Sequence, residues 1–204
     1  MTEDEARAWV AETFGGQSAD RLESFGAMVA EENTRQNLIS PSTLATIWQR
    51  HLLDSAQLMR FCPPTARTWI DVGTGAGFPG VVIGLLFPGE VLLAEPRARR
   101  AEFLLTACER LGIASRVRVR QAKAEALPRG AFDVLSARAV ASVPALLDMT
   151  RHLRAGGSRL ILPRGKSGED ELAIVRLQWH GMFHVEQSLS DAESTIIIAD
   201  GVTR

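Results

Sequence analysis

Hydrophobic residues in the first part of the chain recur at helical spacing. The first such set contains Ala6, Trp9, Val10 and Phe14. The same spacing appears over 22–29 and again over 41–61, and no stretch before residue 62 alternates hydrophobic and polar positions. Residues 62–64 carry two prolines, which do not continue a helix. The pattern therefore predicts a small N-terminal helical extension over residues 1–64.

After residue 65 the pattern changes to short apolar strands that alternate with helices. Strands are predicted at 68–72, 91–95, 116–120, 132–137, 159–163, 182–188 and 194–199. Helices are predicted at 79–87, 97–111, 143–153 and 167–179. This alternation is typical of an α/β fold with a mostly parallel sheet. The last two strands follow each other directly, which predicts a hairpin and one antiparallel strand. Residues 65–204 are thus predicted to form a Rossmann-like domain.

A glycine-rich segment follows the first predicted strand and opens the next helix. It reads Asp71-Val72-Gly73-Thr74-Gly75-Ala76-Gly77-Phe78-Pro79-Gly80. Ligands of parallel sheets bind at this position, and glycine allows a positive φ and a close approach to the backbone. A dinucleotide-binding loop is the least favoured alternative because the sixth position counted from Gly73 is Phe78 rather than glycine.

Alternate glycines that follow an acidic residue resemble the loop of class I methyltransferases. This resemblance predicts S-adenosylmethionine as the cofactor, with Asp71 helping to hold its positively charged end. The second strand ends in Glu95, 22 residues after Gly73, where a carboxylate accepts hydrogen bonds from ribose hydroxyls. The alternative for Glu95 is an exposed carboxylate with no ligand.

Charge is unevenly distributed, although the net charge is only −1. Residues 97–166 contain 15 basic and 5 acidic side chains, whereas residues 1–40 contain 3 basic and 8 acidic ones. A basic block between acidic ends is typical of a surface that binds a polyanion such as nucleic acid. A solvated surface with no ligand is the alternative.

Composition also restricts the location of the protein. No apolar run reaches the roughly 20 residues of a membrane span, and the acidic N-terminus is unlike a secretory signal. The two cysteines, Cys62 and Cys108, form neither a disulfide framework nor a metal cluster. The sequence therefore predicts a cytoplasmic protein with no metal site and no membrane partner.

Several further segments occur in order around the glycine loop. They are Asn37-Leu38-Ile39, Arg50-His51-Leu52-Leu53-Asp54-Ser55, the residues from Arg97 to Leu104, Lys123-Ala124-Glu125, Phe132-Asp133 and Arg138-Ala139. Together with the loop they resemble the RsmG (GidB) family of bacterial small-subunit rRNA methyltransferases. The resemblance covers residues 37–166 and implies methylation of guanine N7 in 16S rRNA, within the small subunit or its precursor, by a protein predicted to be a monomer.

The resemblance also implies roles for individual residues. Together with the residues of the glycine loop and Glu95, they complete the set of predicted cofactor contacts, which is Asp71, Gly73, Gly75, Gly77, Phe78, Glu95, Ala124, Glu125 and Arg138. The predicted catalytic residues are Asn37, His51 and Arg138. The predicted RNA contacts are Arg97, Arg100, Arg164 and Lys166.

Structural roles remain open for several of these side chains. The alternative for His51 is a structural histidine held by hydrogen bonds. The alternative for Arg138 is an ion pair with Asp133 or Glu125. Arg50 and Asp54 are four residues apart, which predicts an ion pair on one helix.

The chain departs from the family pattern at three places. Ala137 stands where a serine is common, so a hydroxyl contact is lost. Lys123 replaces an arginine, and Pro163-Arg164-Gly165 replaces Leu-Lys-Gly, both with retention of charge.

Guanine N7 carries a lone pair and no proton, so its methylation needs no general base. The sequence agrees, since Ser136-Ala137-Arg138-Ala139 is not the Asn/Asp-Pro-Pro-aromatic motif used on exocyclic amines. The alternative functions are a class I methyltransferase acting on a small molecule or protein, and a non-catalytic RNA-binding module.

Overall fold

Seven strands form one sheet in the computed structural model, which describes residues 1–166 and 168–204. The strands are β1 (Thr68–Val72), β2 (Glu90–Ala94), β3 (Val117–Arg120), β4 (Val134–Ser136), β5 (Arg159–Arg164), β6 (His180–Gln187) and β7 (Thr195–Thr203). Their order across the sheet is β3-β2-β1-β4-β5-β7-β6. Neighbours from β3 to β5 pair in parallel, and β7 is antiparallel to both β5 and β6. The predicted α/β class, the mostly parallel sheet and the antiparallel strand are confirmed.

Helices cover both faces of this sheet. They are α1 (Glu3–Phe14), α2 (Gly16–Asn33), α3 (Pro41–Leu44), α4 (Asp54–Ala56), α5 (Gly80–Leu86), α6 (Ala98–Arg110), α7 (Val143–Met149) and α8 (Gly168–Arg176). None of these described helices has the length and apolarity that crossing a membrane requires. The last predicted helix begins at residue 167, which lies outside the described residues, and the helix is observed from Gly168 onward.

The N-terminal helices share a hydrophobic cluster with one face of the sheet. This cluster joins Ala6 and Phe25 of α1 and α2 to Trp69 of β1 and Leu104 of α6, all of them buried. A second cluster on the other face contains Val72, Leu135 and residues of α7 and α8. The N-terminal segment therefore packs directly against the sheet, and the domain boundary at residues 64 and 65 stays a prediction.

The continuous helix predicted over 41–61 is wrong. After α3 the chain forms a π-helical segment over Trp48–Leu53, then α4, then a 3₁₀ turn over Gln57–Phe61. Glu3 explains the interruption because its carboxylate accepts hydrogen bonds from the backbone N–H groups of Trp48 and Gln49, at 2.9 and 2.8 Å. Those two donors are therefore not bonded to the preceding helical turn, and a new helical segment begins at Trp48.

The strand order places a crevice at the site of interest. β1 lies between β2 and β4, so the connections after β1 and β4 leave the sheet on opposite sides. Open α/β sheets bind ligands at such a switch point, beyond the carboxyl ends of the strands. The glycine loop follows β1, and Arg138 follows β4, so both lie at this crevice.

Candidate functional site

The glycine loop turns sharply at the carboxyl end of β1. Gly73, Gly75 and Gly77 have φ values of +67°, +59° and +96°, which favour glycine over residues with a Cβ atom. The N–H groups of Gly73 and Thr74 both donate to the carbonyl oxygen of Ala94, at 2.8 and 3.2 Å. The loop is therefore fixed to the end of β2 by its first two residues.

The three glycines face different surroundings. A Cβ atom at Gly73 would lie 2.5 Å from Cγ2 of Val140, in the loop after β4. A Cβ atom at Gly77 would lie 2.7 Å from the ring of Phe25, inside the hydrophobic cluster. At Gly75 the nearest atom would be 3.6 Å away, on Arg100. Gly75 is therefore the glycine whose backbone is most open to a ligand, whereas Gly77 faces the protein interior.

Glu95 holds the open part of the loop. The residue is only 3% exposed, and its carboxylate accepts hydrogen bonds from the N–H groups of Gly75 and Arg97, both at 2.9 Å. The alternative of an exposed carboxylate is thereby excluded. Ala124 is buried in the same cluster as Val72, whereas Glu125 is exposed.

These residues fit S-adenosylmethionine. The space over the backbone of Gly75, which a side chain at that position would fill, lies beside the carboxylate of Glu95. Glu95 directly follows β2, and an acidic residue at this position reaches the ribose hydroxyls of a bound nucleoside. Phe78 contributes differently from the prediction, since its ring is 3% exposed and packs against Phe25 and His51.

Asp71 lies beneath the loop and is fully buried. Its Oδ1 accepts a 2.7 Å hydrogen bond from Ser136, whose Oγ in turn accepts one from the indole of Trp69 at 2.9 Å. Burial raises the pKa of Asp71 to about 6, against the lowering effect of the Ser136 hydrogen bond. The carboxylate therefore supports the loop from below, and no surface of it is open for the predicted contact with the cofactor.

This burial predicts a pH dependence of stability. Because the pKa of Asp71 is higher in the folded state than in the unfolded state, the folded state binds more protons between about pH 4 and pH 6. Stability due to this group is therefore present below that window and lost as the pH rises through it. We expect wild type to lose about 3 kcal/mol of unfolding free energy relative to Asp71→Asn between about pH 4 and pH 7. Urea unfolding of both proteins measures this difference, and a constant difference would contradict it.

Arg138 connects the end of β4 to the N-terminal helical segment. Its Nη1 donates to Oδ2 of Asp54 at 3.1 Å and to the carbonyl oxygen of Arg50 at 3.3 Å. Its Nη2 donates to Nδ1 of His51 at 3.1 Å. The guanidinium also lies over the ring of Phe78, 5.5 Å from the centroid. Arg138 thus joins three parts of the chain at the crevice.

His51 is held as a neutral ring in one tautomer. Nδ1 accepts from Arg138, so Nε2 carries the proton and donates to Oγ1 of Thr43 at 2.9 Å. The ring stacks on Phe78 with centroids 4.9 Å apart. Burial, and then the positive charges of Arg138 and Arg50, lower the pKa of His51 to about 3.

The ion pairs that Arg138 and Arg50 form differ from those considered for them in the sequence. Arg138 pairs with Asp54 rather than with Asp133 or Glu125. Arg50 pairs with Asp191, in the loop between β6 and β7, so the predicted pair of Arg50 with Asp54 is wrong. The reason is the π-helical segment, in which backbone hydrogen bonds join residues five apart instead of four.

Arg138, His51 and Asp54 together form what we call the Arg138 cluster. A cleft of about 400 Å³ opens beside it. Its walls come from the π-helical segment, the loop after β4, the end of β5 and the β6–β7 loop. The lining side chains include His51, Arg138, Arg164, Glu171 and Thr195. The cleft is large enough for a nucleobase and has polar groups on several sides, which is typical of a ligand site.

The remaining predicted residues lie in distinct environments. Arg164 has a side chain only 6% exposed, which donates to the carbonyl oxygens of Pro163 and Ala137 at 2.9 and 3.3 Å. Burial lowers its pKa. Arg164 therefore shapes the wall of the cleft from inside and is not a surface cation for RNA.

The other basic candidates are more accessible. Lys166 has a side chain 73% exposed and pairs with Glu193, and Arg97 is exposed beside Glu95. Arg100 donates to the carbonyl oxygen of Asn37 at 2.9 Å, which places both near Gly75. Asn37 is exposed there and is not part of the Arg138 cluster.

Sequence reasoning missed a set of polar residues behind the cluster. They are Thr43, Gln57, Ser188 and Ser190. Gln57 lies four residues from both Leu53 and Phe61, so a polar side chain on this apolar helical row was the signal in the sequence for the buried contact that it makes.

Similarity to known proteins agrees with this geometry. The family model for GidB, rRNA small subunit methyltransferase G, matches residues 18–194. A protein of Rhizorhabdus wittichii named ribosomal RNA small subunit methyltransferase G is 42% identical over 204 residues, 99% of this chain and 94% of the relative. A protein of Erythrobacter litoralis with the same name is 38% identical over 98% of this chain and 97% of the relative.

Among solved structures, an O-methyltransferase from Bacillus cereus in complex with SAH has a TM-score of 0.65 at 15% identity. The match covers 95% of this chain and 96% of the Bacillus cereus chain. Identity this low establishes only the shared fold, whereas the family model and the full-length relatives establish descent. The chain belongs to the GidB family of small-subunit rRNA methyltransferases.

Proposed function

We propose that this protein transfers a methyl group from S-adenosylmethionine to N7 of one guanine in the 16S rRNA of the small ribosomal subunit. The observation that carries the proposal is the cluster of Arg138, His51 and Asp54 at the crevice beside the glycine loop. Its members are bonded to one another, so the cleft presents fixed walls for a base and no histidine free to remove a proton.

The chemistry of guanine N7 suits such walls. When bound, S-adenosylmethionine supplies an electrophilic methyl group, and N7 offers a lone pair without a proton to remove. His51 does not serve as a base because the Nδ1 lone pair accepts from Arg138 and Nε2 carries its own proton. Catalysis then depends on positioning and on the preorganised charges of the site.

Asp54 supports the same reaction through its charge. A purine methylated at N7 gains positive charge, which an unpaired arginine beside it would disfavour. The ion pair with Asp54 at 3.1 Å offsets the charge of Arg138, while the planar guanidinium keeps its position over Phe78.

We infer that Arg97 contributes to RNA binding. Its exposed guanidinium has no ion-pair partner in residues 1–166 and 168–204, and it directly precedes α6 beside the glycine loop. Arg97→Ala is expected to weaken binding to 16S rRNA and to reduce the salt dependence of affinity by about one counterion.

Arg164→Ala is the matched comparison for that measurement. Because Arg164 is buried, we expect it to lower the free energy of unfolding by roughly 2 kcal/mol and to leave the salt slope unchanged. Filter-binding titrations at several salt concentrations separate the two variants. Equal slopes for Arg97→Ala and wild type would exclude Arg97 as a phosphate contact.

We further propose that the protein acts as a monomer in the cytoplasm, where bacterial ribosomal subunits assemble. Its relatives are named for small-subunit rRNA, which supports a subunit or its precursor as the substrate.

The class of substrate is tested by methyl transfer from labelled S-adenosylmethionine to three acceptors. These are small subunits that lack the modification, their deproteinised rRNA, and the isolated ribosomal proteins. We expect the label to enter RNA, with the subunits, the free rRNA or both as acceptor. We expect no label in the ribosomal proteins. Label in the protein fraction, or in no macromolecule despite measurable cofactor binding, would overturn the proposal in favour of a protein or small-molecule acceptor.

A further inference from the structure

We propose that Ser190, in the β6–β7 loop, is a positioning residue that orients Arg138 through the carboxylate of Asp54. The effect on methyl transfer rests on the function proposed above. The contacts that carry the inference do not depend on it, and neither does the spectroscopic part of its test.

One carboxylate connects the two residues. Ser190 Oγ donates to Oδ1 of Asp54 at 2.7 Å, and Oδ2 of the same group accepts from Arg138 at 3.1 Å. Gln57 Nε2 donates to Oδ1 as well, at 3.1 Å. Because both donors act on Oδ1, rotation of the carboxylate is restricted and Oδ2 points to Arg138.

Ser190 is itself held by buried neighbours. Gln57 Nε2 donates to Ser188 Oγ at 2.9 Å, and Ser188 and Ser190 share a hydrogen bond of 2.8 Å between their hydroxyls. Since Ser190 donates its proton to Asp54, the hydroxyl of Ser188 is the donor of that shared bond. The hydrogen bonds thus run in one direction, from Gln57 through two serines to Asp54.

The backbone of the loop is fixed to the same segment. Leu189 N–H donates to Gln57 Oε1 at 2.7 Å, and Gln49 Nε2 donates to the carbonyl oxygen of Ser190 at 2.8 Å. Gln57 is 0% exposed and Ser190 is 4% exposed. Burial of polar groups is costly unless each is bonded, and satisfied networks of this kind specify one geometry. The β6–β7 loop is therefore built to hold the Arg138 cluster from behind.

The kinetic test compares Ser190→Ala with wild type. Loss of the Oγ leaves Asp54 freer to rotate, so Arg138 no longer has a single orientation. We expect kcat on small subunits to fall on the order of tenfold, with KM for S-adenosylmethionine within about twofold of wild type. Ser190→Thr keeps a hydroxyl and is expected to restore most of kcat. Ser24→Ala, an exposed serine of α2 that bonds only within its own helix, is the control.

The imidazole of His51 supplies a readout that does not need turnover. Among the described residues, the charged groups that line the cleft together with this ring are Arg50, Asp54, Arg138, Arg164 and Glu171, and Asp191 pairs with Arg50. When Arg138 is less fixed, its charge opposes protonation of His51 less, so the pKa of His51 rises from about 3. We expect the NMR titration of the ring, assigned with His51→Gln, to move up by about one pH unit in Ser190→Ala and not in Ser24→Ala.

The outcomes separate this proposal from the proposed function. An unchanged His51 titration in folded Ser190→Ala overturns the positioning role, whatever happens to activity. A shifted titration with unchanged kcat overturns the link to methyl transfer. If wild type methylates no RNA, the proposed function fails, and the titration still decides whether Ser190 orients the cluster. A shifted titration, reduced kcat and rescue by Ser190→Thr support the proposal.

Discussion

Replacing Arg138 with alanine is expected to lower the rate of methyl transfer at least about 100-fold. The change removes the donors to Asp54 and to His51, and the cation over Phe78. The Asp54 side chain is only 15% exposed, so its carboxylate loses its ion pair in a mostly buried place. We therefore also expect a loss of roughly 2 kcal/mol in the free energy of unfolding.

Arg138→Lys separates charge from geometry. A lysine ammonium is able to pair with Asp54, but it lacks the planar fork that reaches Asp54 and His51 together. We expect lysine to recover most of the stability and little of the rate. Single-turnover methylation and urea unfolding of the three proteins provide the comparison. Recovery of the rate by lysine would show that positive charge alone is sufficient.

Gly77→Ala is expected to destabilise the protein by about 3 kcal/mol. The new Cβ atom would lie 2.7 Å from the Phe25 ring and 2.8 Å from Val81, within a packed cluster. The backbone φ of +96° adds strain for any residue with a side chain. Both effects act on the packing of α2 and α5 beneath the loop.

Gly75→Ala is the matched variant two residues earlier. Its φ is also positive, at +59°, but the nearest atom to the new Cβ is 3.6 Å away. We expect a loss of only about 1 kcal/mol in stability, with most of the affinity for S-adenosylmethionine gone. Thermal unfolding and isothermal titration measure the two effects. Equal destabilisation of both variants, or cofactor binding by Gly75→Ala at the affinity of wild type, would contradict this account of the loop.

Features encoded within a few residues were predicted well. The strand at Thr68–Val72, the glycine loop after it and the position of Glu95 directly after β2 all follow from local pattern and spacing, whereas the contact of Glu95 with ribose stays a prediction. The sheet class followed from the alternation of strands and helices. The helix over 41–61 failed because its interruption depends on Glu3, more than forty residues earlier in the chain.

The partners of the site residues were beyond local pattern. Arg138 was recognised as a site residue, but its pairing with Asp54 spans 84 residues. The supposed pair of Arg50 and Asp54 assumed α-helical geometry, which the π-helical segment replaces. Ser190 lies 136 residues from Asp54, so its place behind the cluster depends on the packing of the last hairpin against the N-terminal segment.

Methylation at N7 of one guanine is detected by chemical cleavage of the RNA at the modified nucleotide. Small subunits lacking the modification are incubated with the protein and S-adenosylmethionine, and the 16S rRNA is then treated with borohydride and aniline, which cleave at N7-methylguanine. We expect one new cleavage with wild type and none with Gly75→Ala. Methyl incorporation into this RNA without such a cleavage would contradict the assignment of N7.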